Sequence, residues 1–555
     1  MKSTSSPVWR DDLIAVALAA LWIVGVRAAL GLSWGFAAIP TATGELDLGI
    51  GYNAGDTWSY LSWVRQYQNG THVASLLYTA EPHAALLWIF PLWSVGQLAA
   101  VTGLPTVGIF NAAGFVGALV VVWGFRRAAT ALGLGPSARN WATVALVLGS
   151  GASWTTHLAH KLGWGTSTTS PELFFIDLLP STALLVSPYH ALGFALVAIL
   201  WWRALRLESV LLERQPIFAV ALGVFVVAGL LGFSRPYEPL AFIGAWTLKT
   251  AWHWLHRLTE PAALWSSLRV NVVLALAFAP GIGWTAWVST RPIWSSFAKD
   301  GLSLGSEFTR LSWSLALLGW VILALVAIQT VRRSPARNLT LPVAATLLLV
   351  IILVGIGSGR TKLASGLFFG PALLAGLAAE HLVRAFPRLC MPVRVPLAAA
   401  LLFLLFGLPS LQLGLLMVKL NHSGTLAPAL PTLAAHLPVP PRSPPLVLAS
   451  PASAAALPGL IGARVWAGHF SLTYRFWEKR ARLSAAGLDP TTPPVDPVAA
   501  PAELEKILAE ASFDFAVLEP TSAAARTHLL SRGWTPLATA DAWVLLAAPR
   551  RSHSL

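Results

Sequence analysis

Charge is scarce in this chain: only 11% of its 555 residues are Asp, Glu, Lys or Arg, while 55% are hydrophobic and the mean hydropathy is +0.65. Soluble domains carry roughly 25% charged residues, so water is not the solvent for most of this surface. Cysteine is almost absent. The lone Cys390 excludes an intramolecular disulfide and a cysteine metal cluster, and its neighbours Arg388 and Arg394 predict a cytosolic loop for it. No G-x-G-x-x-G fingerprint, Walker loop, H-E-x-x-H or C-x-x-C motif stands in a supporting context, so dinucleotide binding, nucleotide hydrolysis and zinc proteolysis have no motif behind them. The net charge of +14 lies in short clusters between apolar runs. It does not form one basic face, which argues against nucleic acid as a partner.

What the chain has in abundance is apolar runs of membrane length. They cover 13–32, 106–125, 141–157, 189–202, 217–233, 239–255, 270–288, 311–331, 339–357, 363–382 and 395–417. Together they predict roughly eleven transmembrane helices. The first run is longer than the 7–15 apolar residues of a signal peptide and is read as an uncleaved span. Several of the 26 tryptophans, among them Trp201, Trp202, Trp252, Trp254 and Trp287, stand at run ends, where indole rings favour the headgroup layer.

Residues 83–101 are also apolar, and charge asymmetry decides their role. If they lie along the membrane surface, the clusters Arg126, Arg127 and Arg139; Arg203, Arg206 and Arg214; Arg257 and Arg269; Arg332, Arg333 and Arg337; and Arg384, Arg388 and Arg394 all fall on the side of Lys2 and Arg10. The positive-inside rule then places the N-terminus in the cytoplasm, and both the first loop and the C-terminal region outside. The expected fold class is an all-α polytopic transmembrane domain, 1–420, with juxtamembrane helices in a first external loop at 33–104. A Pro-rich linker, 421–445, leads to an extracytoplasmic α/β domain, 446–555. Within that domain, 446–449, 513–518 and 542–547 read as strands and 501–511 as a helix.

The chemically informative stretch runs from Gly55-Asp56-Thr57-Trp58-Ser59-Tyr60 through Arg65 to Glu81-Pro82-His83. Asp56 opens an amphipathic helix just outside the first span, and N-capping alone would account for an aspartate there. On the second external loop lie Glu172 and Asp177. Ser187-Pro188-Tyr189-His190 begins a span, and Arg235-Pro236-Tyr237-Glu238 joins two others. Gly357-Ser358-Gly359-Arg360-Thr361-Lys362 puts two cations on the outer face, against the arginine bias. Such cations also snorkel to headgroups with no further role.

These features resemble the GT-C superfamily, polytopic glycosyltransferases that take sugars from polyprenyl phosphate carriers, and within it an uncharacterised bacterial branch. The resemblance rests on Asp56 with Tyr60, on Glu81-Pro82-His83 before an apolar helix, on Pro171-Glu172, on the motifs at 187–190 and 235–238, and on Gly468-His469, Thr473 and Lys479 of the C-terminal domain. It implies that Asp56 is the catalytic base and that Arg360, Lys362 and Arg235 hold the donor phosphate. Tyr60, Glu81, His83, Glu172, Asp177 and His190 become acceptor-side or secondary candidates, and His469 the main polar group on the domain's surface. It also implies a bacterial cytoplasmic membrane, a polyprenyl-phosphate sugar as donor and a glycan, lipid or protein as acceptor. The doubled acidic pair common in the superfamily's first loop is Gly55-Asp56 here. A divalent metal ion is accordingly possible and its ligands unknown.

The chemistry suits the assignment. An acceptor hydroxyl attacking an anomeric carbon needs a base, and the departing lipid phosphate needs cations to stabilise its charge. Two other classes compete. A lipid-linked sugar carrier or flippase would favour internal repeats and ionisable groups at the bilayer midplane, and a non-catalytic assembly protein would not require Asp56.

Overall fold

The computed structural model describes residues 8–29, 31–50, 54–149, 153–164, 184, 187–255, 261–295, 309–331, 339–356, 361–385, 393, 396, 425–438, 443–492 and 498–549. In chain order the elements are α1 (Val8–Ala29), β1 (Ile39–Pro40), β2 (Leu46–Asp47), α2 (Ala54–Gln68), α3 (Phe90–Thr102), α4 (Thr106–Ala131), α5 (Pro136–Leu148), α6 (Ser153–Lys161), α7 (Pro188–Leu212), α8 (Phe218–Ser234), α9 (Tyr237–Leu255), α10 (Pro261–Val288), α11 (Arg310–Val331), α12 (Thr340–Val350) and α13 (Phe369–Ala385). The C-terminal part continues with β3 (Thr425–Leu426), α14 (Ala429–Ala434), β4 (Leu446–Ala449), α15 (Pro451–Ile461), β5 (Arg464–Val465), α16 (Phe476–Ala485), α17 (Ala500–Glu510), β6 (Phe515–Leu518), α18 (Ala523–Ser531), β7 (Thr535–Ala540) and β8 (Trp543–Ala547). The elements cluster into two compact units. One comprises Met1–Gly31, Ala112–Trp287 and Leu302–Leu420; the other comprises Leu32–Asn111, Val288–Gly301 and Asn421–Leu555.

The first unit is helical and apolar. Among the described residues, Trp9–Ala29, Thr106–Ala131, Pro261–Val288 and Arg310–Gln329 are long and apolar enough to cross a bilayer. Several expected spans depart from single straight helices. Residues 141–157 divide between α5 and α6, with Gly149 in an extended conformation at the end of α5. Residues 339–357 continue α12 into a π-helical stretch, Ile351–Ile356. Residues 363–382 begin with the 3-10 turn Thr361–Ala364 before α13. The run at 395–417, Cys390, Glu172, Asp177 and Arg360 lie outside the described residues.

Small residues let these helices approach. A Cβ added to Gly114 would lie 2.5 Å from Pro188, one added to Gly117 3.1 Å from Leu192, and one added to Gly124 3.1 Å from Ala198. The partners advance in step with the glycines, so α4 and α7 run parallel along a glycine seam. In lipid, where apolar side chains gain little by leaving the solvent, such close backbone packing is a main source of association. Gly124→Leu should therefore overpack the seam by about 1–3 kcal/mol or more. The measurement is the yield of monodisperse protein on size exclusion, and a normal yield with unchanged thermal stability would contradict this packing.

The second unit holds the first loop together with the C-terminal region. Its five-stranded sheet has the order β5-β4-β6-β8-β7, with β4 parallel to β5 and β6 and β8 antiparallel to β6 and β7. All four residues of β4 are buried, as a central strand covered on both faces requires. The strands expected at 446–449, 513–518 and 542–547 and the helix at 501–511 correspond to β4, β6, β8 and α17. The first loop also lies along the sheet edge: the Val465 N–H donates to the Leu77 carbonyl at 2.8 Å, and Thr79 bridges Ala467. A second, three-stranded sheet joins β1 and β2 of the loop to β3.

Two first-loop helices have distinct fates. The 13 residues of α3 give about 20 Å of helix, short of the roughly 30 Å hydrocarbon core. The expected amphipathic character of α2 is not what is found. Thr57, Trp58, Ser59, Leu61, Ser62, Trp63, Val64 and Tyr67 are all buried, covering most of its circumference. A Cβ on Gly96 of α3 would meet the Val64 carbonyl at 2.8 Å, and one on Gly459 of α15 would meet the Trp58 carbonyl at 2.9 Å. Helix α2 is thus gripped between α3 and α15.

Candidate active site

Asp56 is the third residue of α2 rather than the residue preceding it, so its carboxylate sits in the first helical turn, where the helix dipole favours negative charge. Its Oδ1 lies 3.2 Å from Nε2 of His469, and the carboxylate keeps 34% of its side-chain surface open whereas the histidine is 3% exposed. His469, expected as an exposed group of the C-terminal domain, is instead buried beside the first-loop helix.

The histidine is held on every side. The Ser471 N–H donates to Nδ1 at 3.3 Å, which leaves the proton on Nε2, directed at Asp56. The Tyr78 ring centroid is 5.7 Å from the imidazole, and Phe470 stacks on it at 4.9 Å. Thr473 Oγ1 accepts from the N–H groups of Gly468 and His469, each at 3.2 Å, and donates to the Tyr78 carbonyl at 2.7 Å. Tyr78 in turn donates to the Ala455 carbonyl at 2.9 Å, and burial pushes its phenol pKa far up, so it stays a neutral donor. Tyr60 lies one turn beyond Asp56, half-buried, with its ring 6.0 Å from Trp63.

A second cluster fastens the end of the loop. Lys479 Nζ contacts both oxygens of Glu81, at 2.7 and 2.9 Å, and donates to the Trp466 carbonyl at 3.2 Å. Thr79 donates to the same carboxylate, and Arg464 donates to the Ala80 carbonyl at 2.6 Å. Burial alone would raise the Glu81 carboxyl. The hydrogen bonds from Lys479 and Thr79, with the lysine's charge, outweigh it and hold the group below the usual carboxylate range. Glu81 is therefore committed to an ion pair.

His83 is likewise committed. Its Nε2 accepts from the Leu76 N–H at 2.9 Å while Nδ1 faces the Glu81 carbonyl at 2.8 Å, an arrangement that only the neutral Nδ1–H tautomer satisfies. Trp294 packs edge-on against the ring at 6.1 Å.

In the first unit, Arg235 ends α8 and is buried, with its guanidinium 2.6 Å from Glu238 and 3.3 Å from the Ser365 hydroxyl. Ser365 closes the triangle by donating to Glu238 at 2.7 Å. The guanidinium lies over the rings of Tyr189 (5.2 Å) and Phe194 (5.7 Å), and Gly193 leaves it room, since a Cβ there would meet its Cδ at 2.3 Å. His190 Nδ1 pairs with the Ser187 hydroxyl at 2.5 Å. Lys362 lies 5.9 Å over the Tyr237 ring.

The structure thus brings Asp56 together with His469, and Glu81 with Lys479. Arg235, Tyr189, Phe194, Glu238 and Ser365 form a separate group in the helical unit. Both pairings around the loop were invisible in sequence, because 413 and 398 residues separate their members. Among the described residues there is no group of three or more His, Cys, Asp or Glu able to hold a metal ion. Asp56 and His469 are one acid–imidazole pair.

The neutral tautomer of His83 makes stability depend on pH. Burial, and the positive charge of Arg464, hold its folded pKa below the usual 6.5. As pH falls through that ordinary value the unfolded chain takes up a proton before the folded one, so this contribution to stability is present above about 6.5 and lost on acidification. Thermal midpoints measured between pH 7.5 and 5 should fall, and fall less in His83→Asn. An identical slope in that variant would remove His83 as the cause.

No family model matches the sequence, and no curated protein matches it. Solved structures do match in fold. The oligosaccharyltransferase of Archaeoglobus fulgidus in the apo form superposes with a TM-score of 0.53 at 11% identity, over 91% of this chain and 69% of that one. The same enzyme tethered to an acceptor peptide containing the NVT sequon gives 0.50 at 13% identity, over 91% and 68%. ArnT from Cupriavidus metallidurans bound to undecaprenyl phosphate gives 0.48 at 15% identity, over 96% and 98%. The chain is an integral membrane protein that shares its fold with the Archaeoglobus fulgidus oligosaccharyltransferase.

Proposed function

We propose that this protein is a membrane glycosyltransferase that moves a sugar from a polyprenyl-phosphate donor to an extracytoplasmic acceptor, with Asp56 as the general base. The observation that carries the proposal is the Asp56–His469 pair: a partly open carboxylate at the start of a gripped helix, facing an imidazole N–H at 3.2 Å. The shared fold with an oligosaccharyltransferase supports the reaction class.

In this reading the acceptor hydroxyl approaches the open side of Asp56 and gives up its proton as it attacks the anomeric carbon. His469 is a positioning residue. Its Nε2–H donates to one carboxylate oxygen and fixes the orientation of the group. The leaving phosphate needs no proton but needs cations. Arg360, Lys362 and Arg235 are the candidates for that role, Arg235 being paired with Glu238 in the helical unit. Tyr60, on the Asp56 face of α2, and Glu172, Asp177 and His190 remain acceptor-side candidates. Glu81 and His83 hold the loop that carries Tyr78. The cell location is the bacterial cytoplasmic membrane, with the N-terminus in the cytoplasm and the C-terminal region outside.

Purified protein assayed with a panel of polyprenyl-phosphate sugars should show transfer, and Asp56→Asn should lower turnover by about 10²–10⁴-fold with donor binding and thermal stability kept. Normal turnover in Asp56→Asn would sink the assignment, and donor binding without any transfer by the wild type would favour a carrier or flippase. An assembly protein would bind no donor. Replacing both Arg360 and Lys362 by Gln should weaken donor binding by about 1.5–3 kcal/mol for each lost charged contact. Orientation is tested by thiol labelling: a cysteine at Val498, 88% exposed, should react from the external side and Cys390 should not.

A further inference from the structure

Away from these sites, the helical unit has a groove between α1 and α4, two of the helices long and apolar enough to span a bilayer. It encloses about 330 Å³ and is lined by Trp9, Leu13, Val16, Leu119, Trp123 and Arg127, among others. Its chemistry is graded. From Val116 to Arg127 the α4 wall rises about 16 Å at 1.5 Å per residue, apolar until its last turn. There two indoles and a guanidinium meet, with Arg127 lying 5.8 Å over the Trp123 ring and Trp9 60% exposed.

The cationic end is overcharged. Asp12 is 2% exposed at its side chain and is shared by Arg126 at 2.9 Å, Arg127 at 3.4 Å and Arg139 at 3.9 Å. Counting Arg10 and Asp11 on the same turn of α1, four arginines face two carboxylates, a surplus of two positive charges. Arg126 and Arg139 are buried, whereas the Arg127 side chain is 30% exposed. The surplus is therefore presented at Arg127, at the mouth of an apolar groove.

We infer that this groove binds one anionic glycerophospholipid, its acyl chain along Leu13, Val16 and Leu119 and its phosphate at Arg127 between Trp9 and Trp123. An ordinary boundary lipid would satisfy the apolar wall equally well whatever its headgroup. The surplus charge is what selects an anion, because guanidinium to phosphate is a strong, directional pairing. The inference is independent of the catalytic reading, since it uses none of its residues.

Native mass spectrometry of the purified full chain, titrated with phosphatidylglycerol and with phosphatidylcholine of the same acyl chains, tests it. Wild type should retain one phosphatidylglycerol about tenfold more tightly than phosphatidylcholine. Arg127→Gln should abolish that preference, Arg127→Lys should keep most of it, and Leu119→Trp, which fills the groove, should lose the tight site for both lipids. Arg384→Gln, at an arginine 70% exposed elsewhere, should change nothing. If Arg127→Gln does not fold, Leu119→Trp decides. Equal retention of the two lipids by wild type, a preference that survives Arg127→Gln or Leu119→Trp, or its loss in Arg384→Gln would overturn the proposal. Displacement of the phosphatidylglycerol by undecaprenyl phosphate at equal concentration would overturn it too, making the groove a carrier-lipid site.

Discussion

Burial of α2 is the constraint on which the candidate active site depends. Trp58, Leu61, Trp63, Val64 and Tyr67 are each no more than 4% exposed, and a large apolar side chain gains about 1.5–3 kcal/mol from such burial. That gain is available only because α3 and α15 both pack against the helix. With side chains occupying nearly its whole circumference, α2 cannot rotate or slide without opening a void or a clash. Ser59 and Ser62 are tolerated inside because their hydroxyls bond back to the carbonyls of Gly55 and Ser59. Arg65 reaches the Leu460 carbonyl at 2.8 Å and satisfies the end of α15, where Gly462 turns the chain with φ of 79°. The first turn of α2, which carries Asp56, inherits this rigidity.

Around that framework the polar groups follow one rule: a charge removed from water keeps a partner. Glu81 and Lys479 pair in the second unit, Lys249 and Glu208 pair with almost no exposure in the first, and Arg235 shares Glu238 with Ser365. Removing one member of such a pair leaves an uncompensated buried charge, which costs far more than the pair contributes. Asp56 breaks the pattern in a useful way. Its partner is a histidine and a third of its surface stays open. A histidine N–H is a weaker partner for a carboxylate than the charged lysine or arginine of the other pairs.

The parts legible in sequence were those set by local physics. Apolar runs and arginine clusters marked the helices, and β4, β6, β8 and α17 fell where short buried runs and a proline-opened helix predicted them. The strands missed, β1, β2, β3, β5 and β7, explain themselves: the first four are two residues long each, and β7 is an edge strand with a largely exposed pattern. The break in the expected span at 141–157 and the π-helical end of the one at 339–357 were hidden because neither changes the hydropathy. Residues such as His469 and Lys479 could be noticed but not paired, because the pairing depends on the first loop lying along β5, a contact between segments hundreds of positions apart. Within the loop, both ring nitrogens of His83 are engaged by backbone groups, those of Leu76 and Glu81.

The single acidic residue of the first-loop motif now has a structural context. A Cβ added to Gly55, where the doubled pair of the superfamily would bring its other carboxylate, lies 3.8 Å from both Cδ2 and Nε2 of His469. That is ordinary contact distance, so the glycine is not demanded by sterics alone. The difference is electrostatic. A second carboxylate at this point would compete with Asp56 for the one N–H the histidine offers, and two carboxylates that close cannot both stay ionised without a compensating cation. A neutral imidazole beside a lone aspartate avoids that conflict. It orients the carboxylate through a hydrogen bond fixed by the Ser471 N–H at its far nitrogen, and it adds no charge of its own.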